Sequence, residues 1–301
     1  MQTPHWRSLS PADLEREYSP SSAIGGNYQP FTAQYAARSA HARGQFLSLL
    51  RGQAHWALPY GAAGTAGGAP SQTMDLFVPT RKVATAKPPL LVFIHGGYWQ
   101  ALSKNDSQFA ALDCTAQGWA HAVLDYTLAP AASVADIVEE CRQALAYLTA
   151  QADALGFDAR RIVLAGSSAG AHLAAMTALG APRGAVAGVV LVSGIFELEP
   201  LVGTSINAAL GLTAQSARSA SPQCATAADL AHFPPALLAY GSVETAQFKR
   251  QSSDFAALLA AHGGKPRVLE VPLRNHFDVV LELGTAGTPL GDAVIGLMAS
   301  V

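Results

Sequence analysis

Short apolar runs alternate with longer amphipathic segments along most of the chain after residue 70. Four or five consecutive apolar residues are typical of a strand buried on both faces, because a strand with one solvent face alternates apolar and polar positions. Short β-rich runs lie at 74–78, 90–94, 120–124, 162–165, 189–192, 236–240 and 268–271, and several of them are continuously apolar. This alternation predicts an α/β fold, in which a mostly parallel central sheet carries helices on both faces.

The segment between the third and fourth runs predicts one long helix. Ser133 followed by Asp136 resembles a capping box at its start, with Asp in place of Glu, and Gly156 lies beyond its end. Its apolar residues recur at spacings of three and four and form one stripe, which comprises Val134, Ile137, Val138, Cys141, Leu145 and Leu148. Active sites of such folds lie at the carboxyl ends of the strands, so the residues after each run are the candidates for chemistry.

The first 70 residues differ in pattern from the rest. Residues 31–50 predict a helix, with Tyr35, Ala42, Phe46 and Leu49 toward one side. Residues 61–70 read GAAGTAGGAP, a low-complexity stretch that predicts a flexible surface loop. We therefore expect residues 1–301 to form a single domain, with a helical N-terminal segment and loop at 1–70 and a lid or cap insertion at 196–235.

Composition narrows the class of protein. Of the 301 residues, 50% are hydrophobic and 13% are charged, which excludes a disordered chain. The net charge is −2 and there is no basic run, so we expect no nucleic-acid partner. The N-terminus lacks the apolar segment of a signal peptide, and no apolar run approaches the roughly 18 residues of a membrane span. We expect a cytoplasmic location and no membrane partner.

Three cysteines, Cys114, Cys141 and Cys224, follow no motif spacing, and we expect all of them to be buried, reduced thiols. No cluster of Cys, His and Asp has metal-ligand spacing, and no Gly-rich nucleotide fingerprint follows a strand. The sequence therefore predicts neither a metal nor a cofactor.

The end of the fourth run carries a candidate nucleophile. Residues 166–170 read Gly-Ser-Ser-Ala-Gly and fit the G-x-S-x-G elbow, in which a strained turn between a strand and a helix exposes the serine. An apolar run precedes the motif and a helical pattern follows it, as the elbow requires. The helix N-terminus would direct free N–H groups and its positive end at Ser168. Ser167 occupies the variable position, and we expect His172, one turn into the helix, to be structural.

A second strand end predicts the groups that stabilise negative charge. Residues 95–99 read His-Gly-Gly-Tyr-Trp and follow the run at 90–94. Glycines let backbone N–H groups approach a substrate closely, and donors preset at the developing oxyanion stabilise the transition state. We expect Gly97, Tyr98 and Ala169 to donate these hydrogen bonds. Gly96 would allow the turn, and His95 would orient the loop.

The last two strand ends predict a base and an acid. His276 lies just past the final run, where its imidazole can take the proton of Ser168 and return it to a leaving group. Glu244 follows the preceding run, where a carboxylate can hold the tautomer of that imidazole. The chain order Ser168, Glu244, His276 is the order of hydrolase triads. Three rival carboxylates are less well placed, namely Asp125, Asp254 and Asp278.

These motifs together resemble kynurenine formamidase, or arylformamidase, an α/β-hydrolase related to hormone-sensitive-lipase-like esterases. The resemblance covers roughly residues 11–285 and includes HGGYW, GSSAGAHLAAM, NHFD, the LEREYSP segment and VSGIFELEP. It implies cleavage of N-formyl-kynurenine to kynurenine and formate in tryptophan catabolism, with Ser168 as nucleophile, Glu244 as acid and His276 as base. The acid of the family is usually Asp, and its elbow often has His where this chain has Ser167.

Three hypotheses follow. The first is an arylformamidase, in which Tyr98, Trp99 and Phe196 are candidates to stack on the aryl ring of the substrate. The second is a carboxylesterase for small or aryl esters, which would use the same catalytic residues. The third is a ligand-binding protein without activity on the same fold, against which the apparently intact set of Ser, Glu and His argues. The expected partner is a small aromatic formamide or ester, and a homodimer is compatible with the sequence.

Overall fold

A mostly parallel sheet forms the centre of the computed structural model, which describes residues 5–48, 52–61, 71–80 and 86–301. The eight strands in these residues are β1 (Gly52–Pro59), β2 (Thr73–Pro79), β3 (Leu90–Ile94), β4 (Ala120–Leu124), β5 (Ile162–Ser167), β6 (Gly188–Val192), β7 (Ala236–Val243) and β8 (Arg267–Asn275). Their order is β1-β2-β4-β3-β5-β6-β7-β8. The pairs β1–β2 and β2–β4 are antiparallel, and the other neighbours are parallel. The predicted sheet is confirmed.

Helices cover both faces of the sheet, as the alternating pattern predicts. In the described residues the α-helices are α1 (Pro11–Glu17), α2 (Gln29–Leu47), α3 (Ala111–Ala116), α4 (Val134–Leu155), α5 (Ala169–Gly180), α6 (Asn207–Leu210), α7 (Ala214–Ser219), α8 (Ala227–Leu230), α9 (Ala246–Ala261) and α10 (Pro289–Ser300). Buried residues of α4, α5 and α9 belong to one apolar core. Those of α2, α3 and α10 belong to a second core on the other face.

The continuous apolar runs are explained by these two cores. In β3, Leu90, Val92 and Ile94 face the first core, whereas Leu91 and Phe93 face the second. All five residues are buried, because neither face of the strand meets solvent. Strands β4, β5 and β6 are buried along their whole length in the same way.

Helix α4 begins and ends where its sequence predicts. The Ser133 hydroxyl accepts a hydrogen bond from the Asp136 N–H, and the Asp136 carboxylate accepts one from the Ser133 N–H, which completes the capping box. Gly156 ends the helix with a φ of +86°, a left-handed conformation that glycine adopts without steric cost. The predicted apolar stripe of this helix is buried.

The N-terminal segment is only partly as expected. Tyr35, Ala42 and Phe46 are buried on α2, as predicted, while Leu49 and residues 62–70 of the predicted loop lie outside the described residues. The expectation that residues 1–70 hold only helices and a loop is wrong, because β1 pairs with β2 at the sheet edge. An edge strand with exposed positions needs no apolar run, so β1 lacks the signal by which the buried strands are recognised.

Residues 196–235, the expected cap, contain α6, α7 and α8 together with a short 3-10 turn at Glu199–Gly203. This range packs against the N-terminal segment through an ion pair between Arg7 and Glu199, whose N–O distance is 2.9 Å. No helix in the described part of the chain is long and apolar enough to span a membrane.

The three cysteines are free thiols, and Cys114 and Cys141 are buried as expected. Burial raises the pKa of both thiols above the ordinary range, because a thiolate would lose its hydration there. The expectation of burial is wrong for Cys224, which is exposed. It ends a short turn at Pro222–Cys224 on the surface of the cap range, where a small side chain has no core to join.

Candidate active site

Ser168 lies at the sharp turn between β5 and α5. Its backbone has a φ of +57° and a ψ of −121°, a strained conformation for a residue with a side chain. Small neighbours are required at this turn. A Cβ atom on Gly166 would lie 2.1 Å from the carbonyl oxygen of Gly170, and one on Gly170 would lie 2.0 Å from that of Ile94. The sequence therefore folds into the elbow geometry that the G-x-S-x-G pattern predicts.

Helix α5 begins at Ala169, immediately after the serine. A first-turn N–H has no partner within its own helix, and the N-terminus of a helix carries a partial positive charge. The N–H of Ala169 is such a group, and it donates no hydrogen bond to the described part of the protein. An oxyanion formed at Ser168 would meet this free donor.

The loop after β3 adds two further backbone donors beside Ser168. Gly97 has a φ of +93° and Tyr98 a φ of +52°, and neither N–H donates a hydrogen bond within the described residues. A Cβ atom on Gly97 would lie 2.3 Å from the carbonyl oxygen of Ala101, so only glycine fits there. Gly96, Gly97 and Tyr98 line the same cavity as Ser168.

His95 is buried beneath this loop. Its Nδ1–H donates to the carbonyl oxygen of Gly96 at 2.9 Å, and its ring stacks on Tyr126 with centroids 4.2 Å apart. The Tyr126 hydroxyl donates to the carbonyl oxygens of both His95 and Gly96. These contacts fix the backbone of the loop, which is the positioning role expected of His95.

His276 follows β8 in a tight turn. The N–H groups of Phe277 and Asp278 both donate to the Asn275 side-chain oxygen, which fixes this turn. The imidazole is buried, and it lines the cavity that also contains Ser168. Its ring and that of Phe248 pack edge to face, with centroids 4.5 Å apart.

Glu244 lies directly after β7 and contacts His276. The Nδ1–H of His276 donates to Glu244 Oε2 at 2.9 Å. The other carboxylate oxygen accepts hydrogen bonds from the Gly241 N–H at 2.7 Å and from the Ser193 hydroxyl at 2.6 Å. The carboxylate side chain has 0% exposure, so these donors take the place of water around its charge.

Ser193 is a residue of the site that the sequence patterns did not predict. It follows β6, is fully buried, and has a φ of +50°, which turns its hydroxyl toward Glu244. A polar residue directly after a buried parallel strand was the available signal, since the other site residues occupy the same position on their own strands.

The three carboxylates that rival Glu244 as the acid have other hydrogen-bond or ion-pair partners. Asp254 pairs with Arg250 on α9 at 2.6 Å, and Asp278 accepts a hydrogen bond from the Asn275 N–H. Asp125 accepts a hydrogen bond from the Lys104 N–H and holds that loop.

His172 is fully buried, and its Nε2–H donates to the carbonyl oxygen of Ala220 at 2.6 Å. Burial lowers the pKa of His172 to about 4, so it is a neutral structural residue.

A cavity of about 340 Å³ opens at Ser168 and His276. Most of its wall is aromatic or small and polar. The aromatic lining residues are Tyr18, Tyr28, Tyr35, Phe93, Tyr98, Phe109 and Phe277. A volume of this order suits a ligand with one aromatic ring and a short side chain.

The predicted substrate contacts are corrected at two positions. Tyr98 lines the cavity, but Trp99 and Phe196 are fully buried and are not part of its wall. The rings of Trp99 and His172 pack edge to face, and Phe196 stacks on Phe255. Both rings fill the core behind the site.

The N-terminal segment supplies a wall that sequence patterns did not reveal. Tyr28 and Phe31 each stack on Phe277, with ring centroids 5.7 and 5.8 Å away. The Tyr35 hydroxyl donates to the carbonyl oxygen of Phe277, the residue after His276. These contacts join residues about 240 positions apart, which no local pattern can predict.

The chain is similar in sequence to several known proteins. The BD-FAE family model matches residues 74–192. Kynurenine formamidase of Salmo salar is 28% identical over 291 residues, which cover 92% of this chain and 93% of that protein. Kynurenine formamidase of Drosophila melanogaster is 26% identical over 286 residues, which cover 90% of this chain and 92% of that protein.

Solved structures show the same fold. A suspected thioesterase of Silicibacter sp. has a TM-score of 0.77 and 27% identity, covering 94% of this chain and 99% of that one. An esterase of Pyrobaculum calidifontis has a TM-score of 0.69 and 21% identity, covering 90% of each chain. The chain is therefore an α/β-hydrolase, and it is a serine hydrolase of the esterase and amidase type. Within that class it resembles kynurenine formamidases over nearly its full length.

Proposed function

We propose that this enzyme hydrolyses N-formyl arylamines, with N-formyl-L-kynurenine as the first candidate, in the tryptophan catabolism of the cytoplasm. The observation that carries the proposal is one aromatic-walled cavity that contains Ser168, His276 and the loop at Gly97. The buried contact between Glu244 and His276 supports it, because a base must be held in one tautomer.

In the first step, the Ser168 hydroxyl attacks the formyl carbon while His276 takes its proton. The carbonyl oxygen becomes an oxyanion, which the N–H groups of Gly97, Tyr98 and Ala169 stabilise. The carboxylate of Glu244 stabilises the imidazolium that forms on His276.

In the second step, the C–N bond breaks and His276 gives its proton to the leaving arylamine. The formyl group is left as an ester on Ser168. Water then attacks this ester with His276 again acting as base, and formate leaves as the serine regains its proton. The aromatic walls would hold the aryl ring near Ser168 during both steps.

A carboxylesterase for small or aryl esters is the second candidate. The esterase of Pyrobaculum calidifontis shares the fold, and an ester would use the same residues in the same order. The leaving group of an ester is an alcohol or a phenol, which needs less help from the proton of His276 than an arylamine does.

Parallel steady-state kinetics on N-formyl-L-kynurenine and p-nitrophenyl acetate separate the two candidates. We expect kcat/KM to be higher for the formamide. A far higher kcat/KM for the ester would overturn the proposal in favour of the carboxylesterase.

A further inference from the structure

Glu15 is a charged residue in the wall of the active-site cavity. Among the described residues that line this cavity, it is the one Asp, Glu, Lys or Arg side chain. It lies on α1, in the N-terminal segment, and it shares the cavity wall with Ser168 and His276. Any substrate held at Ser168 therefore shares a small, mostly apolar space with one fixed carboxylate.

The Glu15 carboxylate is held in place by the cap range. The Ser205 N–H donates to Oε2 at 2.8 Å, and the Ser205 hydroxyl donates to Oε1. Ser205 also lines the cavity. An ionised carboxylate has about four acceptor sites, so two donors leave room for further hydrogen bonds from a ligand.

The arginines near Glu15 in sequence pair with other acids. Arg16 forms an ion pair with Asp13 at 2.6 Å, and Arg7 forms one with Glu199 at 2.9 Å. Within the described residues, Glu15 itself forms no ion pair. Its charge therefore acts on the contents of the cavity, and an ammonium group with its three donors is the natural complement.

We infer that Glu15 determines specificity by binding an ammonium group on the aryl part of the substrate and by disfavouring a carboxylate there. This inference rests on the proposed function, because it assigns the aryl leaving group to the cavity that Glu15 lines. The α-ammonium group of a formylated aryl amino acid has the required charge. The negative charge of Glu15 would repel an aryl formamide whose only charge is negative.

The test uses three N-formyl anilides that differ only at the end of one side chain, which carries an ammonium, a neutral or a carboxylate group. For the wild type we expect kcat/KM to fall in that order, by roughly tenfold at each step, a size typical of one charge-assisted hydrogen bond. Glu15→Gln should bring the three values within about threefold of one another. Glu139→Gln, on the exposed side of α4, is the matched control and should keep the wild-type order.

Ser205→Ala gives a second readout, because it removes one donor to Glu15 and keeps the charge. We expect it to weaken the preference for the ammonium substrate without abolishing it. Wild-type ratios of kcat/KM retained in Glu15→Gln, or a wild-type preference for the carboxylate, would overturn the inference. If Glu15→Gln does not fold, a ratio of kcat/KM between the ammonium and neutral substrates that is unchanged from the wild type in Ser205→Ala would overturn the inference.

The same three substituents on aryl acetates keep the two proposals separate. If the wild type cleaves the acetates and none of the anilides, the formamidase proposal fails. The order of kcat/KM among the acetates then still tests Glu15, because the charge of the leaving group is unchanged.

Discussion

At the scale of single residues, the site depends on how the buried side chain of Glu244 is held by hydrogen bonds. Glu244 is removed from water and receives hydrogen bonds from His276, Gly241 and Ser193. Each donor stabilises the negative charge, and that charge orients the imidazole. The second oxygen of Glu244 reaches Ser193, which follows the neighbouring strand β6.

Ser193→Ala tests this positioning role. Loss of the hydroxyl removes one of three donors to Glu244, and we expect kcat to fall roughly tenfold with KM within about twofold of the wild-type value. Steady-state kinetics separates the two constants. Ser253→Ala, which removes an exposed hydroxyl from α9, is the control and should leave both unchanged. A rise in KM at constant kcat would show that Ser193 acts on substrate binding instead.

Glu244→Gln tests the assignment of the acid. An amide cannot stabilise the imidazolium, so we expect kcat to fall at least about a hundredfold while substrate affinity stays similar. Asp254→Asn, whose partner is Arg250 on the same helix, is the comparison and should stay near wild type. The assignment fails if Asp254→Asn is the variant that loses turnover.

At the scale of elements, close packing of α5 against β3 sets the position of Ser168. Gly170 is the contact point, because any side chain there would meet the carbonyl oxygen of Ile94. The nucleophile is thus placed by backbone contact between a helix and a strand. Such a contact requires small residues on both sides of Ser168. This requirement is what the G-x-S-x-G pattern shows in the sequence.

Gly170→Ala should therefore destabilise the fold. The added methyl group would lie 2.0 Å from a backbone oxygen, so the helix must shift, at a cost of about 2–4 kcal/mol in the free energy of unfolding. Gly296→Ala in α10 is the matched control, since nothing lies within 4 Å of its added Cβ. It should stabilise the protein by about 0.5–1 kcal/mol. Urea denaturation measures both, and equal effects would contradict the contact argument.

The elements divide into those that local patterns predict and those that tertiary contacts decide. Strands β2 to β7 are mostly buried between the two cores, and burial leaves a largely apolar run that is readable in the sequence. Strand β8 is the other edge strand, and most of its residues are exposed. Strand β1 is half exposed at the sheet edge and leaves no such run. Ser168, Glu244 and His276 each follow a strand end, so topology predicts their meeting. The wall formed by Tyr28, Tyr35 and Glu15 arises from packing between distant segments, which spacing cannot reveal.

At the scale of the whole molecule, burial of titratable groups links stability to pH. His121 is fully buried in β4, and its Nδ1–H donates to the carbonyl oxygen of Leu91 at 3.1 Å. Burial lowers its pKa from 6.5 to about 4. Between these values the unfolded chain binds a proton that the native protein does not. Stability is therefore lost as the pH falls from 6.5 toward 4.

His121→Asn removes this titration and keeps a donor for the Leu91 carbonyl. Between pH 7 and pH 5, we expect the free energy of unfolding of the wild type to fall by roughly 2 kcal/mol more than that of the variant. Urea denaturation of both proteins at the two pH values gives this difference. The other titratable groups are the same in both proteins, so their contributions cancel. Equal losses in the two proteins would show that His121 is protonated in the native state.

The most direct test of the central claim is the release of arylamine from N-formyl-L-kynurenine by the wild type and by Ser168→Ala, with both proteins shown to be folded. We expect turnover by the wild type and a kcat lower by about 10⁴-fold or more in the variant, because the other groups act only through the serine. Turnover by Ser168→Ala within about tenfold of the wild type would contradict the account.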